Sequence, residues 1–308
     1  MYQDEILVSI ITPSHNTDPT YFRKTADSVL KVLREGWEWV LILHNNETMT
    51  PDEVREIIGN NPFVRIIERR DGKHSPSAGR NYGLSRARGK YVYFLDHDDL
   101  LQEEFLPKAV EIMEAHDYDI LIGNAKGILE NEKVIEVPLP IDFPDVEGGY
   151  LVPNDPVSRG KLLHGCPIMV ACKVIRRDLL TWNRITFDEE VRLMEDTMFA
   201  LRAFAKAKSI CVVPSLLAYT YVQHGDSLLQ RMLKEDNYSL DEYLVPLRRV
   251  VNLALENGFS PNEFLWVMLG MFTRIYQKGD MDPEKKRILY SAVQEYLPLM
   301  RIEERRRK

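Results

Sequence analysis

Hydrophobic and polar positions alternate in two rhythms over the first 125 residues of the chain. Leu7 to Thr12 is a short apolar run ending in Pro13-Ser14-His15-Asn16, which predicts a buried strand followed by a loop. From Tyr21 to Leu33 the spacing is helical, with Phe22, Ala26, Val29, Leu30 and Leu33 on one face. Trp39 to Leu43 predicts a second buried strand, running into His44-Asn45-Asn46. Thr50-Pro51-Asp52-Glu53 then predicts a helix start: Thr50 can cap it, Pro51 suits the first helical position, and Glu53 completes a capping box. Further strands are predicted at Phe63 to Ile67, Tyr91 to Leu95 and Ile120 to Ile122. Helices are predicted at Ser77 to Ala87, stopped by Gly89, and at Pro107 to Ala115.

Strand–helix alternation of this kind calls for an α/β fold, a mainly parallel sheet with helices on both faces. Ligands of such sheets bind at the carboxyl ends of strands. Three polar clusters fall there: Ser14-His15-Asn16, His44-Asn45-Asn46 and Asp96 to Asp99. The middle of the chain differs. Residues 138 to 167 are rich in Pro, Gly and Asp and predict a long irregular loop, a common form of active-site cover. Met169 to Ile175 predicts a strand, Asp196 to Ala205 a helix and Ala218 to Val222 a strand. Beyond about Leu233 the pattern is helical, near 239–256, 261–277 and 283–305. The expected division is one domain over 1–230 and a helical C-terminal region over 231–308.

Composition adds modest constraints. The chain has 308 residues, 44% hydrophobic and 28% charged, enough for a sizeable core without disulfides or structural metals. A net charge of −7 argues against a general nucleic-acid binder. Cys166, Cys172 and Cys211 read as small core residues of a reducing compartment. With no signal-like start and no apolar run of roughly 20 residues, the expected location is the cytoplasm. The basic tail from Arg301 to Lys308 reads as a solvated helix end, or as an attraction to an anionic membrane surface.

Asp96-His97-Asp98-Asp99 is the strongest chemical signal. Three carboxylates in four residues repel each other unless a cation sits among them, and their oxygens suit Mg²⁺ or Mn²⁺. The competing reading is a solvated acidic turn. Glu195-Asp196 opens a helix, where acidic residues suit the dipole or can supply a general base. His224 reads as a metal or phosphate contact, or as a surface histidine. Arg80-Asn81 follows a helix start able to bind an anion or a sugar hydroxyl, against ordinary capping beside a surface arginine. No P-loop, dinucleotide fingerprint, nucleophile elbow or structural zinc spacing is present.

Taken together, these stretches resemble the inverting glycosyltransferases of family 2, with the GT-A fold. The likeness rests on Val8 to Asn16, on the long block Ala78 to Asp99, on Met194-Glu195-Asp196-Thr197-Met198-Phe199, and on Tyr221 to Ser227. The resemblance implies a nucleotide-sugar donor surrounded by Pro13, His15, Asn16, Asn45, Arg80, Asn81, Asp96 and His97. It implies that Asp98 holds Mn²⁺ or Mg²⁺, that Asp96 contacts ribose or metal, and that His224 assists at the metal. Asp99 is left open as a helper. Asp196 would be the catalytic base, with Glu195 beside it able to contact the acceptor. The implied acceptor is a glycan or lipid-linked species, used at the inner face of the plasma membrane. The helical appendage is left open between holding the acceptor, pairing two copies as a homodimer and touching the membrane. One departure stands out. The family's second strand usually ends in acidic residues, one of which reads the nucleotide base, whereas here it ends in His44-Asn45-Asn46. UDP is the default base, and His15 can stack on it. Competing readings are a non-catalytic nucleotide-sugar binding protein and a nucleotidyltransferase.

Overall fold

Two short runs of buried residues, Val8–Ser14 (β1) and Trp37–His44 (β2), lie side by side as parallel strands, Val8 opposite Trp37 and Ser14 opposite Leu43. Every residue of both strands is buried, as expected for strands covered on both faces. The computed structural model describes residues 6–72, 75–129, 134–135, 143–163, 168–224, 239, 241–260, 282–288, 290–292 and 294–295. The expected helix at 261–277, much of that at 283–305, Cys166, the basic tail and residues 225–227 lie outside these.

Helix α1 (Pro19–Leu30) follows β1, capped by the Asp18 carboxylate, which accepts from the Thr20 N–H at 2.7 Å. Helix α2 (Pro51–Ile58) carries the expected capping box, with Thr50 and Glu53 reciprocally bonded. Strand β3 (Val64–Arg69) pairs parallel to β2. Helix α3 (Pro76–Arg86) then returns the chain to β4 (Tyr91–Phe94), parallel to β1 on its other side. The order β3-β2-β1-β4 therefore reverses direction at β1. In sheets of this kind ligands bind at such a switch point, here at the carboxyl ends of β1 and β4.

Helices α1 and α3 take opposite faces of this half-sheet. Phe22 of α1 stacks on Trp39, whose indole donates to Thr12. The backbone of α3 comes down on Ile11 and Ile42, residues of opposite parity to Thr12 and Trp39. Glycine makes this approach feasible. A Cβ at Gly83 would run into the Ile11 side chain, and one at Gly79 would stand 2.8 Å from the Pro13 Cβ.

The second half of the sheet is mixed. After β5 (Leu100–Leu101) come α4 (Phe105–His116) and β6 (Ile120–Leu129), then the short β7 (Val134–Ile135) and β8 (Tyr150–Leu151). Strand β9 (Lys173–Arg176) inserts antiparallel between β4 and β6, and β10 (Ile210–Gln223) pairs parallel to β6. The Met169–Ile175 run thus divides into a single 3-10 turn at Val170–Cys172 and a short strand. β10 is longer than expected because Pro214 and a bulge between Val212 and Leu217 interrupt the alternation that would have revealed it. The expected irregular loop also holds β8, helix α5 (Pro156–Gly160) and a 3-10 turn at Lys161–Leu163.

Helix α6 (Arg177–Trp182) leads to α7 (Glu195–Lys206), and α8 (Asp241–Glu256) follows β10. Tyr243, Leu247, Val250 and Val251 of α8 are buried within the same hydrophobic cluster as the sheet. Among the described residues, no helix is long and apolar enough to cross a membrane. Cys172 and Cys211 are buried.

Candidate functional site

The carboxyl ends of the parallel strands carry tight turns. Asn16 after β1 and Asn45 after β2 both adopt left-handed backbone, with φ 48° and 46°. Asparagine tolerates that conformation better than most side chains. His15 and Asn16 are exposed beyond the buried Pro13, and His15 Nδ1 lies 2.9 Å from the His44 carbonyl. Asn16 accepts from the Glu47 N–H, so the first two polar clusters are laced into one rim.

β4 delivers the acidic cluster. Tyr91 to Leu95 are fully buried, and the chain emerges at Asp96. Its four members then diverge. Asp96 takes both Nη2 contacts of Arg80, at 2.7 and 3.0 Å. His97 turns inward, its Nδ1 3.0 Å from the Pro13 carbonyl. Asp98 meets His224 Nε2 at 2.8 Å. Asp99 is buried and accepts from the Val222 N–H at 2.8 Å, so it fastens the loop to β10. Burial, then the charges of Asp98 and Asp96, push the Asp99 carboxyl well above the usual range. For Asp98 burial acts upward too, but His97 and the bonded His224 outweigh it and hold the group below its ordinary value.

Arg80 is the centre of the site rather than a surface residue. Its side chain is 4% exposed and touches three carboxylates from two distant stretches. Besides Asp96, its Nη1 donates to Glu195 Oε1 at 3.1 Å and to Asp196 Oδ1 at 3.0 Å. The guanidinium lies over Phe187, 5.3 Å from the ring centroid. Phe187 stacks on Phe199 at 4.0 Å, and Phe94 meets both edge-on, giving the cation a rigid apolar floor. Asn81, one residue on, uses both ends of its amide on a neighbouring loop. It donates to the Phe187 carbonyl and Glu189 and accepts from the Phe187 N–H.

Glu195 and Asp196 open α7 immediately after Met194, whose backbone is left-handed at φ 61°. A non-glycine, non-asparagine residue there is strained. The turn aims both acids back at Arg80, and Asp196 Oδ2 also accepts from the Val170 N–H at 3.1 Å. Burial, then the Asp196 charge, push Glu195 up to about 7 against the pull of Arg80. Asp196 is raised as well, by burial and by Asp96, with Arg80, Val170 and Lys173 opposing.

Two further residues belong to this region that sequence reading missed. Tyr21 of α1 stacks on His224, ring centroids 4.6 Å apart. Asp71, beyond β3, contacts His44 Nε2 at 2.8 Å and Arg69 Nη2 at 2.7 Å, while Asn45 accepts from its N–H. A carboxylate thus stands beside the end of β2, where the chain's own His44-Asn45-Asn46 supplies none. The signal lay in strand pairing, since Asp71 follows β3 by two residues and β3 runs beside β2.

No group of three or more His, Cys, Asp or Glu side chains among the described residues is arranged to hold a metal by itself. Asp98 with His224 supplies one carboxylate and one imidazole, a pair that could hold Mn²⁺ only with further ligands from outside the protein, such as phosphate or water. Asp96 is less suited, because Arg80 engages both its oxygens.

Among proteins of known sequence, the chain is 26% identical over 242 residues to the uncharacterized glycosyltransferase EpsJ of Bacillus subtilis, covering 77% of this chain and 66% of that protein. It is 27% identical over 234 residues to a poly(ribitol-phosphate) beta-glucosyltransferase of Bacillus spizizenii, covering 75% of this chain but 35% of the relative. The chain therefore spans less than two thirds of the length of either. Among solved structures, Staphylococcus aureus TarS 1-349 in complex with UDP-GlcNAc superposes with a TM-score of 0.61 at 20% identity, covering 95% of this chain and 72% of that one. This shows the fold, the GT-A arrangement. The model of the family described as glycosyl transferase family 2 matches residues 9–181, from β1 into α6, more than half of the chain. With the acidic loop and Arg80 inside that span and Asp196 brought to them from beyond it, this chain belongs to glycosyl transferase family 2.

Proposed function

We propose that this protein transfers a sugar, with inversion, from a nucleoside diphosphate sugar to an acceptor hydroxyl. The observation that carries the reading is the bridge made by Arg80. One guanidinium joins Asp96, at the carboxyl end of β4, to Asp196, at the start of α7. The donor loop and the candidate base are thereby held as one unit. Asp196 takes the proton of the acceptor hydroxyl as that oxygen bonds to the anomeric carbon. The bond from that carbon to the diphosphate oxygen breaks on the opposite side, so configuration inverts. A carboxylate whose proton affinity is raised by burial is a better base near neutral pH. Glu195, also raised, stands beside it as a contact for the acceptor. Asp98 and His224 would hold Mn²⁺ or Mg²⁺, which when bound offsets charge developing on the departing diphosphate. Asp71, steadied by His44 and Arg69, restores an acceptor beside Asn45 for the N–H of a uracil base. UDP-linked hexose or N-acetylhexosamine is the donor this favours, in keeping with the ligand of TarS and the names of the relatives. A polyol phosphate or glycan is the corresponding acceptor.

The test measures UDP release from UDP-glucose and UDP-N-acetylglucosamine, with Mn²⁺ and poly(ribitol phosphate), alongside UDP binding. Asp196→Asn should lose at least about 100-fold in turnover while still binding UDP. Asp98→Ala should lose the extra thermal stabilisation that Mn²⁺ gives in the presence of UDP. Wild-type turnover in Asp196→Asn would sink the base assignment, and an unchanged Mn²⁺ response in Asp98→Ala would sink the metal assignment. Tight UDP-sugar binding by the native protein with no UDP release would mark a binding protein instead.

A further inference from the structure

Lys173 sits where a lysine is costly. It is the first residue of β9, the antiparallel strand between β4 and β6, and it is fully buried. An ammonium taken out of water costs several kcal/mol before its partners are counted. A methionine would fill similar space without that cost. The lysine therefore calls for a role that an apolar residue cannot fill.

Its contacts point to one. The Lys173 Nζ donates to the Met169 carbonyl. The same carbonyl accepts from the Cys172 N–H at 3.3 Å, so the lysine locks the single 3-10 turn at 170–172. That turn presents the Val170 N–H to Asp196 Oδ2. The ammonium also lies 5.8 Å from the ring centroid of Phe204, which is on the same helix as Asp196. Lys173 thus braces both the turn that grips Asp196 and the helix that carries it. We propose that Lys173 is a positioning residue for the Asp196 carboxylate, holding the Met169–Cys172 turn against it and lending it the support of a nearby ammonium. The proposal rests on the reading of Asp196 as the base.

The charged groups facing Asp196 come from four elements. Arg80 reaches it from α3, Asp96 from the loop after β4, Glu195 from α7 itself and Lys173 from β9. Arg80 is shared with Asp96 and Glu195, whereas Lys173 stands on β9, behind the turn. Without Lys173 the anionic form of Asp196 loses support, while the neutral form loses little. The cost of removing the lysine should therefore grow as pH rises through the ionisation of Asp196.

Thermal unfolding of the full chain, from pH 5 to 8 without donor or metal, tests this in four proteins: native, Lys173→Met, Asp196→Asn and the double variant. The difference between the two lysine gaps should widen with pH and reach about 2 °C or more. Under the UDP-release assay, Lys173→Met should move the acid limb of kcat upward by about one pH unit, with UDP affinity unchanged. If Lys173→Met does not fold, Lys173→Gln serves in both backgrounds, since it removes the charge and keeps a donor. Equal lysine gaps in the native and Asp196→Asn backgrounds at every pH would overturn the proposal, because the lysine would then support the fold alone. The unfolding cycle uses no substrate, so it stands apart from the base assignment itself. Active Asp196→Asn with a nonzero cycle would defeat the base role and spare the coupling, whereas inactive Asp196→Asn with a zero cycle would do the reverse.

Discussion

The two ends of the parallel half-sheet carry the same kinds of charge in opposite balance. At the amino end, the buried Glu38 of β2 accepts from Ser9 Oγ, from the Arg88 N–H and from the side chains of Arg88 and Arg65. One carboxylate there is served by two guanidinium groups, and these pull it below its ordinary value although burial acts upward. At the carboxyl end, one guanidinium, Arg80, serves three carboxylates, and Glu195 and Asp196 are pushed up. The first arrangement is closed, with each lone pair answered. The second leaves an excess of negative charge on a strained turn, the condition in which a group can take a proton or draw in a cation. The compensated cluster thus holds strands together, and the uncompensated one is where the proposed chemistry falls.

The comparison breaks hardest at Arg80. Arg80→Met removes the central cation from the acidic end and leaves Asp96, Glu195 and Asp196 facing each other. The expected cost is roughly 3–5 kcal/mol at neutral pH, the usual penalty for leaving buried charge uncompensated. Turnover should fall more than about 100-fold, because the proposed base loses both its orientation and its link to the proposed donor loop. Denaturant unfolding and UDP release measure the two. A variant as stable and active as the native protein would show that the bridge is incidental.

At the other end the mirror change removes the anion. Glu38→Ala takes away the acceptor of the buried Ser9 hydroxyl and leaves the Arg88 N–H with Ser9 Oγ alone, at 3.2 Å, while the Arg88 side chain, 55% exposed, can turn to water. The expected loss is about 2–4 kcal/mol, below that for Arg80 because one partner is rescued by solvent. Turnover per folded molecule should stay within about twofold, since distant sites act independently. A large drop in kcat with little loss of stability would dissolve the contrast between the two ends.

Much of this frame was readable from the chain. Buried strands show as unbroken apolar runs, so β1, β2 and β4 were visible, and the Thr50-Pro51-Asp52-Glu53 start reappears as a complete capping box. The clusters at strand ends were visible because a loop must follow each run. What escaped notice depends on contacts across the sequence. The strand expected within Met169 to Ile175 is β9, but its antiparallel place between β4 and β6 leaves no local trace. Asp71 reaches Asn45 only because β3 pairs with β2, and Arg80 reads as an exposed helix residue until α7 is folded onto it. Pro214 hid the first half of β10. The residue types announced which chemistry was available; the register and the return of α7 decided which of them share one cation.

The smallest effect expected is also the most direct reading of the two balances, because their signs oppose. Glu38 is lowered in the folded protein, so its contribution is present above the ordinary glutamate value and is lost as pH falls through the lowered one. Glu195 is raised to about 7, so the stability linked to its protonation is present below the ordinary value and is lost as pH rises through about 7. Glu195→Gln keeps the shape and cannot ionise. Its unfolding midpoint should match the native one near pH 5 and exceed it by a few degrees at pH 8, measured without donor or divalent cation. Glu38→Gln should do the reverse, lying below the native protein at pH 7 and approaching it in acid. If both variants track the native curve in parallel, the two ends carry their charges with equal comfort. Addition of Mn²⁺ and UDP should then shrink the Glu195→Gln advantage at pH 8 and leave the Glu38→Gln deficit where it was, since bound cation relieves the crowding at one end of the sheet alone.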